Sequence, residues 1–77
     1  MPVFYVTIED QVRADGSHGL LYDHFDDISR AYAKYYTVLA AAAVSEIPYH
    51  AGYLLRSDIG QIESKIFDRR TVETVEE

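Results

Sequence analysis

Only one segment of this chain repeats its large apolar residues at the interval of an α-helix. Phe25, Ile28, Tyr32, Tyr35, Leu39 and Ala42 are spaced 3, 4, 3, 4, 3, the stripe of an amphipathic helix. Asp23, Asp26 and Asp27 stand at its start, where carboxylates cap free N–H groups and meet the positive end of the helix dipole. Pro48 disfavours helical geometry in the residue before it, so the helix should stop near Ser45. The expected helix runs from about Asp26 to Val44, roughly five turns. Its run Ala40-Ala41-Ala42-Ala43 combines high helix propensity with little bulk, which suggests the closest helix–sheet contact there. Propensity alone would also explain the run.

On both sides of this segment the period falls to two. Val3 to Ile8 (V-F-Y-V-T-I) is entirely β-branched or aromatic and reads as a strand whose fully buried part ends at Glu9-Asp10. Asp15-Gly16 supplies a tight turn, and His18 to Tyr22 can return as a second strand, weakened by Gly19. After Pro48, Tyr49, Ala51, Tyr53 and Leu55 alternate with His50, Gly52, Leu54 and Arg56. A turn at Ser57 to Gly60 leads to a final strand, in which Ile62, Ser64 and Ile66 alternate with Glu63, Lys65 and Phe67. The expected fold class is α+β: a two-layer sandwich, ββαββ, with βαββ as the fallback and one long helix on one face of an antiparallel sheet. Residues 1–68 form the single domain, and 69–77 read as an acidic, flexible tail.

A chain of 77 residues can bury roughly 60–65% of its unfolded surface, which leaves a lone chain marginally stable, and its usual supports are disulfides, a structural metal or a partner. There is no cysteine, which excludes disulfides, thiolate zinc sites and thiol nucleophiles. Three scattered histidines do not suggest a metal cage, so no metal and no cofactor is expected. Association with another copy is then the leading source of buried surface. One helix covers one sheet face; the other would carry a set such as Val3, Tyr5, Tyr49 or His50, and Tyr53 or Leu54, depending on register. Apolar groups left there favour a homo-oligomer, with a dimer preferred, built sheet to sheet or edge to edge.

Thirteen acidic against seven basic residues give a formal charge of −6, the wrong sign for a nucleic-acid binder. The longest apolar run, Val38 to Val44, is far below the ~20 residues of a membrane span. Met1-Pro2-Val3-Phe4 lacks the pattern of a signal peptide, so the expected location is cytoplasmic.

Tyrosine is the compositional outlier, seven of 77 residues. It combines a large contact area with a polar tip and is enriched at interfaces. Tyr32 and Tyr35 lie on the stripe and are assigned to the core. The candidate interaction surface is Val3, Tyr5, Tyr36, Tyr49, His50 and Tyr53. His24 lies among carboxylates in Asp23-His24-Phe25-Asp26-Asp27, but helix-start residues explain that cluster; His50 suits a hydrogen-bonding role. No Gly-x-Ser-x-Gly elbow, His-Glu-x-x-His or phosphate-cradling loop is present, so no catalytic residues are assigned.

The stretch Ala33-Lys34-Tyr35-Tyr36-Thr37-Val38-Leu39-Ala40-Ala41-Ala42-Ala43-Val44-Ser45, followed by Ile47-Pro48-Tyr49-His50, resembles small proteins encoded by phages and prophages of Gram-positive gut bacteria. The likeness covers about half the chain, and Ile47 and Tyr49 are bulkier than the pattern suggests. It implies a mobile-element origin and a structural or host-interaction role, with no agreed activity to carry over. Three readings follow: a self-associating phage or prophage accessory module without enzymatic activity; an acidic nucleic-acid mimic inhibiting a host nucleic-acid-binding protein; and a small enzyme or ligand-binding domain, which would need a pocket joining His24 or His50 to a carboxylate.

Overall fold

A computed structural model describes residues 2–70. Its elements are β1 (Tyr5–Val12), β2 (His18–Phe25), α1 (Ile28–Val44), β3 (Tyr49–Arg56) and β4 (Gly60–Asp68). The ββαββ expectation is met. The strands form one antiparallel sheet in the order β2-β1-β3-β4, with β1 and β3 central and β2 and β4 at the edges. The residues expected as a tail begin with Arg69 and Arg70, which are held against the fold as described below; residues 71–77 lie outside the described residues.

Turn chemistry sets both hairpins. Gly16 and Gly60 have φ of 87° and 88°, left-handed values that a side chain disfavours. At the first turn, Asp15 Oδ1 accepts the Ser17 N–H at 2.9 Å, and the Gly16 N–H donates to the Arg13 carbonyl at 2.9 Å. β1 extends to Val12, beyond the expected end of its buried part, because Glu9 and Gln11 find polar partners and need no water.

The helix opens on Asp27, whose side chain accepts the Ser29 N–H at 3.3 Å. It closes through the Ser45 N–H, which donates to the Ala42 carbonyl at 3.3 Å, and through an arginine: one Arg69 nitrogen donates to the carbonyls of Ala42 at 2.6 Å and Ala43 at 2.9 Å. The Arg69 backbone N–H donates to the Pro48 carbonyl at 2.6 Å, so one residue joins the end of β4 to the end of α1.

The buried stripe of α1 is Ala31, Tyr35, Val38 and Ala42. Tyr32 and Leu39 flank it half-buried, Ile28 is exposed, and Phe25 belongs to β2 while still packing on the core. Of the alanine run only Ala42 is buried, so the run is mainly a helix former facing solvent. The closest approach comes from the sheet. A Cβ on Gly52 would lie 3.0 Å from Leu39 Cδ2 and 3.1 Å from Val38 Cγ1, so the missing side chain lets the helix sit down on β3. Ala31, Tyr35 and Leu54 form the centre, with Tyr5, Phe25 and Ile62 around it. Ile62 lies where the β3–β4 register shifts at Leu54/Leu55, and it joins this core.

Substituting Gly52→Val should therefore lower stability by about 1–3 kcal/mol through overpacking, read as a fall in the urea midpoint at unchanged slope.

Candidate functional site

Register assigns every strand residue to a face. Gly52 meets the helix, so His50, Leu54 and Arg56 share its face, as do their β1 partners Tyr5, Thr7, Glu9 and Gln11. The opposite face carries Val6, Ile8, Asp10 and Val12 from β1 and Tyr49, Ala51, Tyr53 and Leu55 from β3. β2 adds His18, Leu20, Tyr22 and His24, and β4 adds Ser64, Ile66 and Asp68. No described element lies over this second face.

It is mainly apolar and partly wet. Leu20, Tyr22 and Ile66 are 44%, 56% and 48% exposed, while Val6, Ile8 and Leu55 are half-buried between their neighbours. Tyr49 and Tyr53, four residues apart on β3, bring their hydroxyls to 3.1 Å and arch over Ala51, which is fully buried although no other element covers it. The hydroxyl contact with Tyr49, then burial, raises the Tyr53 phenol to about 12. The charges on this face sit in pairs toward one end. His18 Nε2 lies 2.5 Å from Asp10 Oδ1. Asp68 receives two Arg70 nitrogens at 2.8 Å, which holds its carboxyl down at about 2. Arg70 also lies over the Tyr49 ring, 5.0 Å from its centroid.

The candidate interaction residues divide between locations. Tyr49 and Tyr53 lie together on the uncovered face. Tyr5 and His50 point the other way; Tyr5 packs on the core and His50 is buried beneath the helix. The reason is parity: β1 partners of Tyr53 and Tyr49 are Ile8 and Val12, so Tyr5 falls one step out of phase. Val3 precedes β1 and lines a small groove with Pro2, Phe4, Ser57 and Asp58. Tyr36 projects from α1, 58% exposed, in a cluster with Tyr32 and Tyr35 at centroid distances of 5.8 and 5.5 Å. Leu20, Tyr22 and Ile66 were not singled out from the sequence. The alternation of the edge strands was visible, but only the pairing tells which parity faces away from the helix.

The hydrogen-bonding role read for His50 is what the structure contains. Its Nε2 lies 2.6 Å from Glu9 Oε2, and Glu9 also accepts from Gln11 Nε2 at 3.0 Å. His50 Nδ1 is buried without a partner, which suits a packed structural pair better than a proton relay to solvent. His24 is on the opposite face, its ring 6.2 Å from that of Phe4. The open groove beside it, ≈ 610 Å³, is lined by Phe4, His24, Phe25, Asp26 and Arg30. It brings a histidine and a carboxylate to one groove, but no hydrogen bond joins them among the described residues. A second groove is lined in part by Arg13, Arg69 and Arg70, and all three guanidiniums are engaged by the protein's own acceptors. Among the described residues no cluster of three or more histidine or acidic side chains could hold a metal ion. No described helix is long and apolar enough to cross a membrane.

No protein-family model, curated protein or solved structure matches the chain.

Because Tyr53 gives up its proton less readily in the fold than in the unfolded chain, its contribution is complete below pH 10. It is lost as pH rises through about 12. Tyr53→Phe should flatten the decline in stability between these values, measured by urea denaturation at stepped alkaline pH. A decline as steep as that of the unsubstituted chain would contradict the Tyr49–Tyr53 contact.

Proposed function

We propose that this protein is a non-enzymatic interaction module that associates with itself through the uncovered face of its sheet, and that it serves as a phage or prophage accessory protein in the host cytoplasm. The observation that carries the first part is the content of that face: Val6, Ile8, Leu20, Tyr22, Tyr53, Leu55 and Ile66 lie on it together, with no described element over them. Four strands about 4.8 Å apart and eight or nine residues long present a surface on the order of 500 Å² in projection. A patch of that size is at the upper end of what monomers leave in water and at the lower end of a stable interface. Its carboxylates have partners within the chain, Asp10 at His18 and Asp68 at Arg70, so a second copy could cover them without leaving them unpartnered. The sequence resemblance supports the second part.

The acidic-mimic reading has less to support it. Such a mimic needs free carboxylates on one surface, whereas Glu9 and Asp10 pair with His50 and His18, Asp23 with Lys34, Asp58 with Arg56 and Asp68 with Arg70. These pairs are spread over both faces of the sheet. The catalytic reading has only the open groove beside His24.

Light scattering at micromolar concentration should give a mass of two chains or more. Ile66→Lys, which puts a charge on the face at an exposed position, should raise the concentration of half-association about tenfold or more while leaving the urea midpoint nearly unchanged. A wild-type protein that stays monomeric to roughly millimolar concentration would end this reading.

A further inference from the structure

Self-association of this chain has a specific backbone route available. In an antiparallel ladder, residue pairs that exchange hydrogen bonds alternate with pairs that do not. The Arg13 N–H donates to the Ser17 carbonyl at 2.9 Å, one step beyond the Val12↔His18 pair. The bonded pairs of β1 and β2 are therefore Gln11↔Gly19, Glu9↔Leu21, Thr7↔Asp23 and Tyr5↔Phe25. On the other side of β1, the Ser57 N–H donates to the Phe4 carbonyl at 2.9 Å, which assigns the even-numbered residues of β1 to β3 and agrees with that phase. It follows that the backbone groups of His18, Leu20, Tyr22 and His24 point outward from the free edge of β2.

The two edges of the sheet differ in how they are guarded. β4 carries Glu63 and Lys65 on its helix side and a register shift against β3, the features that discourage strand addition. β2 has neither a lysine, a proline nor a bulge; its one acidic side chain on the helix side, Asp23, is paired with Lys34 of α1 at 3.3 Å, and its middle reads Gly19-Leu20-Leu21-Tyr22. Leu21 is on the helix side of this strand, yet it is 60% exposed because α1 packs mainly over β3 and β1. An eight-residue edge with apolar groups on both sides is a template for another strand.

We propose that β2 pairs antiparallel with β2 of a second copy about a two-fold axis through Leu21, joining two sheets into one of eight strands. This is the one symmetric register that engages all four outward residues: His18 opposite His24 of the second copy, Leu20 opposite its Tyr22, and the reciprocal pairs. Leu21 then faces its own counterpart in a non-hydrogen-bonded position, where side chains approach most closely. The two uncovered faces become one continuous surface of twice the area. The inference rests on the self-association proposed above and adds a second contact to it, at the strand edge, which leaves the joined faces free to associate in turn.

The chain has no cysteine, so a single introduced thiol reports one location. Across a non-hydrogen-bonded pair the Cα atoms are about 4.5 Å apart, within the range a disulfide spans. Leu21→Cys at micromolar concentration under mild oxidation should convert to a covalent dimer at least severalfold faster than Ser64→Cys, an exposed control on β4. Leu21→Lys should raise the concentration of half-association roughly tenfold, since it sets two cations across the axis. If Leu21→Cys cross-links no faster than Ser64→Cys while the wild type still scatters as a dimer, the edge pairing is refuted and self-association stands. If the wild type is monomeric, the self-association reading falls and the edge pairing with it.

Discussion

A single α-helix about 10 Å across can cover two strands spaced 4.8 Å apart, and this sheet has four. Most of the structure follows from that mismatch of widths. The helix settles over the central strands, where Gly52 removes the side chain that would hold it away and Tyr35 and Val38 fill the gap beside it. Among the described residues, the largest side chains essentially removed from water are no bigger than Leu54 and Thr7. Polar groups share the buried layer: Glu9 and His50 Nε2 pair beneath the helix, which places a hydrogen-bonded pair where a larger protein would place leucines and leaves His50 Nδ1 without a partner. With so little interior, surface elsewhere on the sheet is left for other contacts.

Much of the fold could be read from residue patterns. The 3–4 spacing along α1, the Asp27 cap, the period-two segments and the glycines of both turns are local features, and local features are what a sequence displays. Tyr35 and Ala42 of the expected stripe are buried, but Ala31 and Val38 are buried where Tyr32 and Leu39 were expected, and those two stay half-buried. Leu39 and Val38 both reach Gly52, so the contact with the sheet runs between the two lines of residues.

The candidate surface was less legible. Tyr49 and Tyr53 were found because they share a strand and a parity. Tyr5 and His50 were placed with them although strand pairing sends both toward the helix, and parity between strands depends on a register that no single segment encodes. The exposure of Leu20, Leu21 and Tyr22 was hidden for a related reason. Whether a strand lies at an edge is decided by the order β2-β1-β3-β4, a property of the whole chain.

The Arg69 contacts with Ala42 and Ala43 couple two elements that otherwise touch little. A helix terminus completed by a guanidinium from a distant strand cannot mature until that strand has arrived, so α1 and β4 should assemble, and come apart, as one event. Fraying that begins at the outer strand would be felt at once by the helix.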